Sequence, residues 1–308
     1  MAQDFQAIRF HEYGASDRLI LEALPRPTLK PSEILVEVHY AGVNPVDWKL
    51  RAGYLKDFMP ISLPSTPGMD FSGVVAEVGS EVKHLWKGQE VFGIATGCYA
   101  EYAVAEAGDV IAKPGNLSME KAAAAPLAAL TAWKAVEDAG VANGQTVVVQ
   151  GAAGGVGIFA VQFARLKGAK VIGVTSTDNA AFVKSLGADK VVDYTKGPLE
   201  AEIKDADALI DMVGGEVLEK SYALVKKGGV LVTVAGMVSE AKAKEQGITA
   251  LSSYRGPTTL LPQITAMLEK RSLRLEVSQI FPLAEAAAAQ ELSQTGHGRG
   301  RILLKVKK

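Results

Sequence analysis

A glycine-rich turn between an apolar strand and an apolar helix most constrains how this chain can fold. The strand Thr146–Gln150 runs into Gly151-Ala152-Ala153-Gly154-Gly155-Val156-Gly157, and Gly155–Lys167 is predicted to be a helix. Against the dinucleotide template G-x-G-x-x-G, positions 152, 154 and 157 are Ala, Gly and Gly. The middle glycine lets the backbone approach a pyrophosphate, and the start of the helix offers free N–H groups and a positive dipole. We therefore predict a dinucleotide site rather than a purely structural turn, with cofactor contacts from Gly154, Gly155 and Val156.

Strands and helices continue to alternate after this turn. The strand Lys170–Val174 precedes the helix Asn179–Leu186, and further apolar strands are predicted at Lys190–Asp193, Ala208–Asp211 and Val230–Val234. Alternation of this kind predicts a parallel sheet covered by helices and wound right-handed, which is the α/β class with a doubly wound Rossmann unit.

The first third of the chain has a different pattern, with short strands bounded by glycine, proline and aspartate. These strands predict a barrel-like or sandwich-like unit, and they are Leu19–Ala23, Ile34–Ala41, Ser72–Val78, Glu90–Ile94, Tyr99–Ala105 and Val110–Ala112. An alanine-rich helical segment follows, with Ser118 as N-cap, Pro126 as a break and Gly140 as the end. After residue 250 the pattern predicts helix, strand, helix and strand, at Thr258–Arg271, Arg274–Phe281, Leu283–Gln294 and Arg301–Val306.

Composition and charge exclude several classes of protein. The 308 residues are 48% hydrophobic and carry a formal net charge of −1, so we expect neither extended disorder nor an electrostatic nucleic-acid binder. Cys98 is the only cysteine, which excludes an intrachain disulfide, a four-cysteine zinc lobe and an iron–sulfur cluster. The uncharged stretch 139–164 contains six glycines, so we predict no membrane span. The segment Met1–Gln6 has no basic region before an apolar run, and we predict a cytoplasmic location.

The end of the strand after the glycine turn bears on which dinucleotide binds. An NAD site usually has Asp or Glu there, which binds the ribose hydroxyls. This chain has Thr175, Ser176 and Thr177, whose hydroxyls can donate to a 2′-phosphate, and Tyr194 follows the next strand. We predict NADPH rather than NADH, although Asp178 follows directly and the turn has no Arg or Lys. The same hydroxyl residues would also cap the next helix.

A set of motifs occurs in order along the whole chain. The turn at 154–157 is followed near the C-terminus by Gly296-His297-Gly298-Arg299-Gly300-Arg301, and together with the β-rich first half they resemble the medium-chain dehydrogenase/reductase superfamily. The segment Ala41–Asp47 is similar to the quinone oxidoreductase branch, and Asp47-Trp48-Lys49, Gly53-Tyr54 and Pro64–Gly73 are similar to enone oxidoreductases. The resemblance implies a discontinuous GroES-like catalytic domain (1–116 and 253–308), a Rossmann NADP-binding domain (117–252) and a substrate cleft between them.

The resemblance allows zinc to be considered position by position. Zinc alcohol dehydrogenases of this superfamily have a ligand cysteine where this chain has Asn44, a ligand histidine at Met69, and a glutamate at Asp70. Neither Asn nor Met replaces a thiolate or an imidazole. The histidines are scattered with no i, i+4 pair, at His11, His39, His84 and His297. We therefore predict that the chain binds no zinc and has no metal site.

Without zinc, the nicotinamide cofactor is the strong reagent that remains. Hydride transfer to a quinone, or to the C=C of an α,β-unsaturated carbonyl, leaves negative charge on oxygen that needs a donor or a cation. Lys49 is the predicted catalytic residue, because the resembling enone reductases have a lysine in the cleft at this place, where it would hold NADPH or stabilise the enolate. Tyr54 is a second candidate donor, and Asn44 is a candidate partner of cofactor or substrate. Each has a structural alternative: Lys49 could be a solvated surface residue, Tyr54 could pack in the core, and Asn44 could be a turn residue before Pro45.

Further cofactor contacts are predicted at strand ends and from the resemblance. Open α/β sheets bind ligands at the carboxyl ends of their strands, where this chain has Val213, Gly214, Ala235 and Gly236. The resemblance implies that Thr131 faces the nicotinamide and that Arg299 and Tyr254–Gly256 return to the cleft. The alternatives are ordinary strand-to-helix turns and a Thr131 hydroxyl that bonds its own helix.

Three functions fit these observations: an enone reductase, a quinone reductase, and an NADPH-binding regulatory or structural protein without catalysis. For either enzyme we expect a small hydrophobic carbonyl or quinone substrate. The apolar segment Gly229–Val234 is predicted to be an exposed edge strand. Because an exposed apolar edge favours pairing with another chain, and relatives commonly pair edge strands, we predict a homodimer.

Overall fold

Two large β-sheets organise residues 4–307, which are the residues that the structure, a computed structural model, describes. The strands are β1 (Phe5–Arg9), β2 (Ile20–Leu24), β3 (Glu33–Val43), β4 (Asp70–Val78), β5 (Glu90–Ile94), β6 (Tyr102–Glu106), β7 (Val110–Ala112), β8 (Thr146–Gln150), β9 (Lys170–Thr175), β10 (Lys190–Asp193), β11 (Ala206–Asp211), β12 (Val225–Thr233), β13 (Thr249–Ser252), β14 (Val277–Pro282) and β15 (Arg301–Lys305). The α-helices are α1 (Pro45–Arg51), α2 (Met119–Ala123), α3 (Pro126–Asp138), α4 (Gly157–Leu166), α5 (Ala180–Ser185), α6 (Gly215–Ser221), α7 (Glu240–Gln246), α8 (Leu261–Glu269) and α9 (Ala286–Gln294).

The parallel sheet has the order β10-β9-β8-β11-β12-β13, and every neighbouring pair is parallel. The chain builds outward from β8 to β10 on one side and then from β11 to β13 on the other. The winding therefore reverses between β8 and β11, which is where sheets of this class bind ligands. Val147 and Val149 of β8 belong to one buried cluster and Val148 belongs to another, so both faces of the sheet are covered. This sheet confirms the predicted Rossmann unit.

The second sheet joins the two ends of the chain. Its order is β14-β15-β3-β4-β5-β7, with β6 also paired to β3, and its pairs are antiparallel except β14–β15. Strands β14 and β15 come from the last third of the chain, whereas their neighbours come from the first 112 residues. This return of the chain is the discontinuous arrangement that the GroES-like resemblance implies. The boundaries at 116/117 and 252/253 stay predictions.

Most of the elements predicted from the sequence are present with small shifts at their ends. Strands β5, β7, β8 and β10 have the predicted bounds, and α4 begins two residues later than predicted, at Gly157. Pro126 is the first residue of α3, a position where its missing N–H costs little. The helices α5, α8 and α9 are each preceded by a 3₁₀ turn. The sequence pattern includes the whole turn in the helix for α8 and α9, and only its last residue, Asn179, for α5. The elements that the pattern misses are β1, α1, α6, α7 and β13.

The position predicted for the segment Gly229–Val234 was wrong. Residues 229–233 belong to β12, which is paired on one side with β11 and on the other with β13. A continuous apolar run is typical of an inner strand of a parallel sheet, and the apolar character of this segment reflects burial on both faces. The edge on this side of the sheet is the short strand β13, Thr249–Ser252, and β10 is the edge on the other side.

Residues 1–3 and 308 lie outside the described part of the chain. The N-terminal segment Met1–Gln6, used above to predict the absence of a targeting signal, is therefore only partly described. Between residues 4 and 307, no helix combines the length and the apolar character that crossing a bilayer requires.

Gly157 packs the start of α4 against the turn that precedes it. A Cβ on Gly157 would overlap the carbonyl oxygen of Gly151 and lie 2.9 Å from the Cα of Ala152. Since these are backbone atoms, we expect Gly157→Ala to lower the free energy of unfolding by about 1–3 kcal/mol. Gly115→Ala is the matched control, because its Cβ would meet no atom within 4 Å. Urea unfolding that finds both variants as stable as the wild type would contradict this packing argument.

Candidate functional site

The glycine turn connects β8 to α4 where the winding of the parallel sheet reverses. A Cβ on Gly154 would meet, among the described residues, only the carbonyl oxygen of Gly151 within 4 Å, at 3.3 Å. The N–H groups of Ile158 and Ala160 already donate to the carbonyl oxygens of Gly154 and Val156, so the helix that begins at Gly157 offers an anion the positive end of its dipole. The turn therefore meets the requirements of a pyrophosphate site, and the contacts predicted for Gly154, Gly155 and Val156 stay a prediction.

The start of β15 docks against this turn. The N–H of Gly300 donates to the carbonyl oxygen of Ala153 at 2.8 Å, and Gly154 and Gly300 form an isolated parallel bridge. A Cβ on Gly155 would lie 2.6 Å from the Cδ of Arg301. Gly155 is thus needed for this approach, and the side chain of Arg301 passes directly beside the turn.

Arg301 ends in a buried polar cluster with Asn44 and Asp70. Its Nη1 donates to Oδ1 of Asn44 at 2.6 Å, and its Nη2 lies 2.9 Å from Oδ2 of Asp70. Asn44 in turn donates from Nδ2 to Oδ1 of Asp70 at 2.8 Å. Burial raises the pKa of Asp70, and the adjacent guanidinium opposes that rise. Asn44 is only 3% exposed, so the structure gives it an internal role besides the predicted contact with cofactor or substrate, which stays a prediction.

Asp47 extends the same cluster at the start of α1. Its Oδ2 accepts from the backbone N–H of Asn44 at 2.8 Å and from the hydroxyl of Tyr99 at 3.0 Å. Burial raises the pKa of Asp47 to about 7, and the nearby carboxyl of Asp70 adds to the rise. The backbone bond to Asn44 opposes it. The sequence pattern missed this role, although Asn44 and Asp47 have the spacing of a capping box.

The donors in this cluster do not fit a zinc ion. Asn44 and Asp70 hold the positively charged guanidinium of Arg301, whose charge opposes a second cation at the same oxygens. Met69, next to Asp70, offers a thioether rather than an imidazole. Across residues 4–307, no group of three or more His, Cys, Asp or Glu side chains is arranged to hold a metal ion.

Lys49 reaches from α1 toward the parallel sheet. Its Nζ lies 3.5 Å from the carbonyl oxygen of Ala235, just beyond the end of β12, and 5.7 Å from the centre of the Trp48 ring. The side chain is half-buried, and burial lowers the pKa of its ammonium group. The predicted catalytic lysine and the predicted cofactor segment Ala235–Gly236 therefore meet across the cleft. The alternative of a fully solvated lysine does not describe this environment.

Exposed aromatic side chains follow Lys49 in the chain. Tyr54 is 74% exposed and meets Trp48 edge to face, with ring centres 6.0 Å apart, so it is not a core residue. Phe58 stacks on Tyr254 at 5.7 Å, and the hydroxyl of Tyr254 lies 3.8 Å from the sulfur of Met237. Phe58, Tyr254 and Met237 thus form an apolar rim that joins the loop after α1 to the segments after β12 and β13.

Arg299, which lies near the C-terminus in sequence, contacts the turn after β9. Arg299 donates from Nε to Oδ1 of Asn179 at 3.0 Å and from Nη2 to the carbonyl oxygen of Asp178 at 3.2 Å. Its guanidinium also lies 4.7 Å from the centre of the Phe182 ring. Arg299 therefore lies beside the Thr175–Thr177 segment, which itself has no basic residue. The resemblance implied that Arg299 returns to the cleft, but it did not place Arg299 against Asn179, because 120 positions separate the two residues.

An acidic residue at the end of the neighbouring strand β10 contacts the same turn. The hydroxyl of Thr177 donates to Asp193, and the pKa of Asp193 is lowered to about 2 by this bond and the one from Thr195. Tyr194 is half exposed, and its N–H donates to the carbonyl oxygen of Thr175 at 3.2 Å. Thr175 itself is buried. The predicted residues Thr175, Ser176, Thr177 and Tyr194 are thus brought together, with a carboxylate beside them.

The remaining predicted contacts lie at the ends of β11 and β12 and on α3. Asp211, the last residue of β11, accepts from the N–H groups of Val213 and Gly214 at 3.0 and 3.1 Å. The hydroxyl of Thr131 donates to the carbonyl oxygen of Leu127 at 2.7 Å, so the bond within its own helix is present. A contact of Thr131 with the nicotinamide stays a prediction.

Comparison with known proteins places the chain in a family. The alcohol dehydrogenase GroES-like domain model matches residues 30–115, and the zinc-binding dehydrogenase model matches residues 186–304. A 2-methylene-furan-3-one reductase of Solanum lycopersicum is 34% identical over 98% of this chain and 79% of its own length. The chain belongs to the quinone and enone oxidoreductase branch of the medium-chain dehydrogenase/reductase superfamily.

Two further members of this superfamily support the assignment. An NADPH-dependent alkenal/one oxidoreductase, chloroplastic, of Arabidopsis thaliana is 31% identical over 98% of this chain and 80% of its own length. The solved structure of the quinone oxidoreductase from Coxiella burnetii has a TM-score of 0.91 at 36% identity and covers 99% of this chain and 100% of its own. The zinc in the name of one superfamily model is not matched by the donor set at Asn44, Met69 and Asp70.

Asp47 is expected to make stability depend on pH. Because burial raises its folded pKa to about 7, against about 3.9 in an unfolded chain, folding retains a proton between these values. Its contribution to stability is complete below the unfolded pKa and is lost as the pH rises toward 7, by at most about 1.4 kcal/mol per pH unit. In urea unfolding, Asp47→Asn should therefore gain stability relative to the wild type between pH 4 and pH 7.

The exposed Asp57 provides the control for this measurement, since Asp57→Asn changes the same atoms at the surface. Its difference from the wild type should stay constant across the window. A constant difference for Asp47→Asn as well would show that Asp47 is charged in the folded protein.

Proposed function

We propose that this chain is a zinc-independent NADPH-dependent reductase that acts on quinones or on the C=C of α,β-unsaturated carbonyls. The observation that carries the proposal is the ammonium of Lys49, 3.5 Å from the carbonyl of Ala235 and beside an apolar rim. NADPH, when bound, supplies the hydride. The names of the tomato, Arabidopsis and Coxiella relatives describe the same two acceptor classes.

The side chains near Lys49 define what the protein contributes. A protonated Lys49 would stabilise the negative charge that develops on the acceptor oxygen, which is where a preorganised cation lowers the barrier most. The hydroxyl of Tyr54, at the exposed rim, is a candidate proton donor to the reduced acceptor. The apolar rim of Phe58, Met237 and Tyr254 would exclude water from a flat, conjugated molecule.

An assay of NADPH oxidation with a panel of enones and quinones tests this proposal. Turnover with either class, unaffected by chelators of zinc, is the expected result. Tight NADPH binding without turnover on any acceptor would instead favour the regulatory or structural alternative.

Lys49→Met should remove the proposed stabilisation while keeping the apolar part of the side chain. We expect kcat with an enone or quinone to fall about 10²- to 10³-fold, and the affinity for NADPH to change little. Since burial lowers the pKa of Lys49, the wild type should lose activity at alkaline pH below the range of a free lysine, and the variant should lack this limb. Lys56→Met, an exposed lysine in the following loop, is the control. Equal kcat in both variants and the wild type would remove the role of Lys49.

For the cofactor we propose NADPH over NADH, and Arg299 is the strongest support. Its guanidinium would lie near a 2′-phosphate bound by the hydroxyls of Ser176 and Thr177, with Tyr194 beside them. The charged Asp193 opposes this preference, so the arginine is needed to offset it.

Arg299→Ala is expected to weaken NADPH binding about tenfold or more and to leave NADH binding nearly unchanged, because only NADPH has the 2′-phosphate. Arg274→Ala is the control, since Arg274 contacts Ser185 at the other end of α5. Cofactor titration by intrinsic fluorescence measures both affinities. A proportional loss of NADH affinity would contradict a specific role in 2′-phosphate recognition.

We also propose a homodimer, now through the edge strand β13 rather than through residues 229–234. Half-exposed Leu251 lies on this edge, which has a free row of backbone groups for pairing. Light scattering that finds only a 32.4 kDa species would contradict the dimer. The cytoplasmic location stays a prediction, because the Arabidopsis relative is described as chloroplastic.

A further inference from the structure

Asp211 is a fully buried carboxylate at the end of β11. Burying a charged group is costly unless it is hydrogen-bonded, and in residues 4–307 no salt bridge reaches it. Backbone groups hold it instead: Oδ1 accepts from Val213 at 3.0 Å, and both oxygens lie 3.1 Å from the N–H of Gly214. A carboxylate held in this way fixes the loop that follows β11.

Thr233 links this carboxylate to the neighbouring strand end. Its hydroxyl donates to Oδ2 of Asp211 at 2.6 Å and accepts from the N–H of Ala235 at 3.1 Å. The N–H of Val234 also donates to the carbonyl oxygen of Asp211 at 3.0 Å. Asp211 and Thr233 therefore set the position of the backbone at Ala235.

The two loops also touch directly. A Cβ on Gly214 would lie 2.9 Å from the carbonyl oxygen of Ala235, and Gly214 has a φ of +78°, which favours glycine. The same carbonyl oxygen lies 3.5 Å from Nζ of Lys49. A continuous series of hydrogen bonds and contacts thus joins Val213 and Gly214, through Asp211, Thr233 and Ala235, to the lysine on the other side of the cleft.

We propose that Asp211 and Thr233 are positioning residues, which hold the carbonyl of Ala235 where it anchors the ammonium of Lys49. The proposal rests on the proposed function, since it assigns the two residues to the same cleft. It explains why a carboxylate without a charged partner is buried at this strand end. It also means that the loop at Val213–Gly214 and the position of Lys49 both depend on the buried hydrogen bond between Asp211 and Thr233.

The test uses variants of Thr233, because Thr233→Val keeps the shape and removes the hydroxyl. Thr233→Ser keeps the hydroxyl and should retain most of the activity. Thr265→Val is the matched control, since the hydroxyl of Thr265 is buried and has no hydrogen-bond partner in the described part of the chain. We expect Thr233→Val to lower kcat about tenfold, with Thr233→Ser and Thr265→Val within about twofold of the wild type.

A double-mutant cycle distinguishes positioning from general destabilisation. If Thr233 acts through Lys49, Thr233→Val should lower kcat in the wild type but change it less than about twofold in Lys49→Met. Equal losses in both backgrounds would overturn the proposal. Thermal unfolding of each variant ensures that kcat is compared well below every Tm.

A second readout does not require turnover. Lys49 held against Ala235 should react slowly in reductive methylation, and peptide mass spectrometry should find that Thr233→Val speeds its labelling several-fold, whereas Thr265→Val does not. Unchanged labelling of Lys49 would overturn the proposal even in an active enzyme. If the wild type reduces no acceptor, the proposed function fails, and the labelling result alone decides whether the anchor exists.

Discussion

The structure depends on one buried guanidinium that joins distant parts of the chain. Arg301, on the last strand, bonds Asn44 and Asp70 from the N-terminal sheet and passes beside Gly155 in the nucleotide-binding turn. Because breaking a buried ion pair leaves an uncompensated charge, this contact is costly to lose. It therefore fixes the C-terminal strand against the glycine turn and so fixes how the two sheets meet at the cleft.

The two cations Arg301 and Lys49 differ in their surroundings. Arg301 has its terminal nitrogens bound within the protein and serves the fold, whereas Lys49 is half-buried and has one long contact to a carbonyl oxygen. A cation with few internal partners can respond to charge that develops on a bound molecule. Position in the cleft, rather than residue type, is therefore the reason for proposing Lys49, and not Arg301, for the chemical task.

Local patterns predicted the part of the site that is local in the chain. The turn at Gly154 follows from consecutive residues, and so do the hydroxyls after β9. The partners of Asp70 and of Asn179 could not be predicted, because they lie 231 and 120 positions away and only the return of the chain brings them near. The edge strand β13 was missed because Thr249–Ser252 is short and has no apolar run. The apolar segment of β12 was predicted to be the edge instead.

One fold can carry different chemistry, because the reaction depends on a few side chains in the cleft rather than on the backbone. At the positions where the resemblance implies metal ligands, this chain has an arginine bonded to Asn44 and Asp70, and an arginine is not a Lewis acid that could polarise an alcohol. If no metal takes part, as we propose, an acceptor has to be activated by its own conjugation and by a cation such as Lys49. Quinones and α,β-unsaturated carbonyls meet that requirement, because hydride addition moves the negative charge onto an oxygen that one ammonium can stabilise.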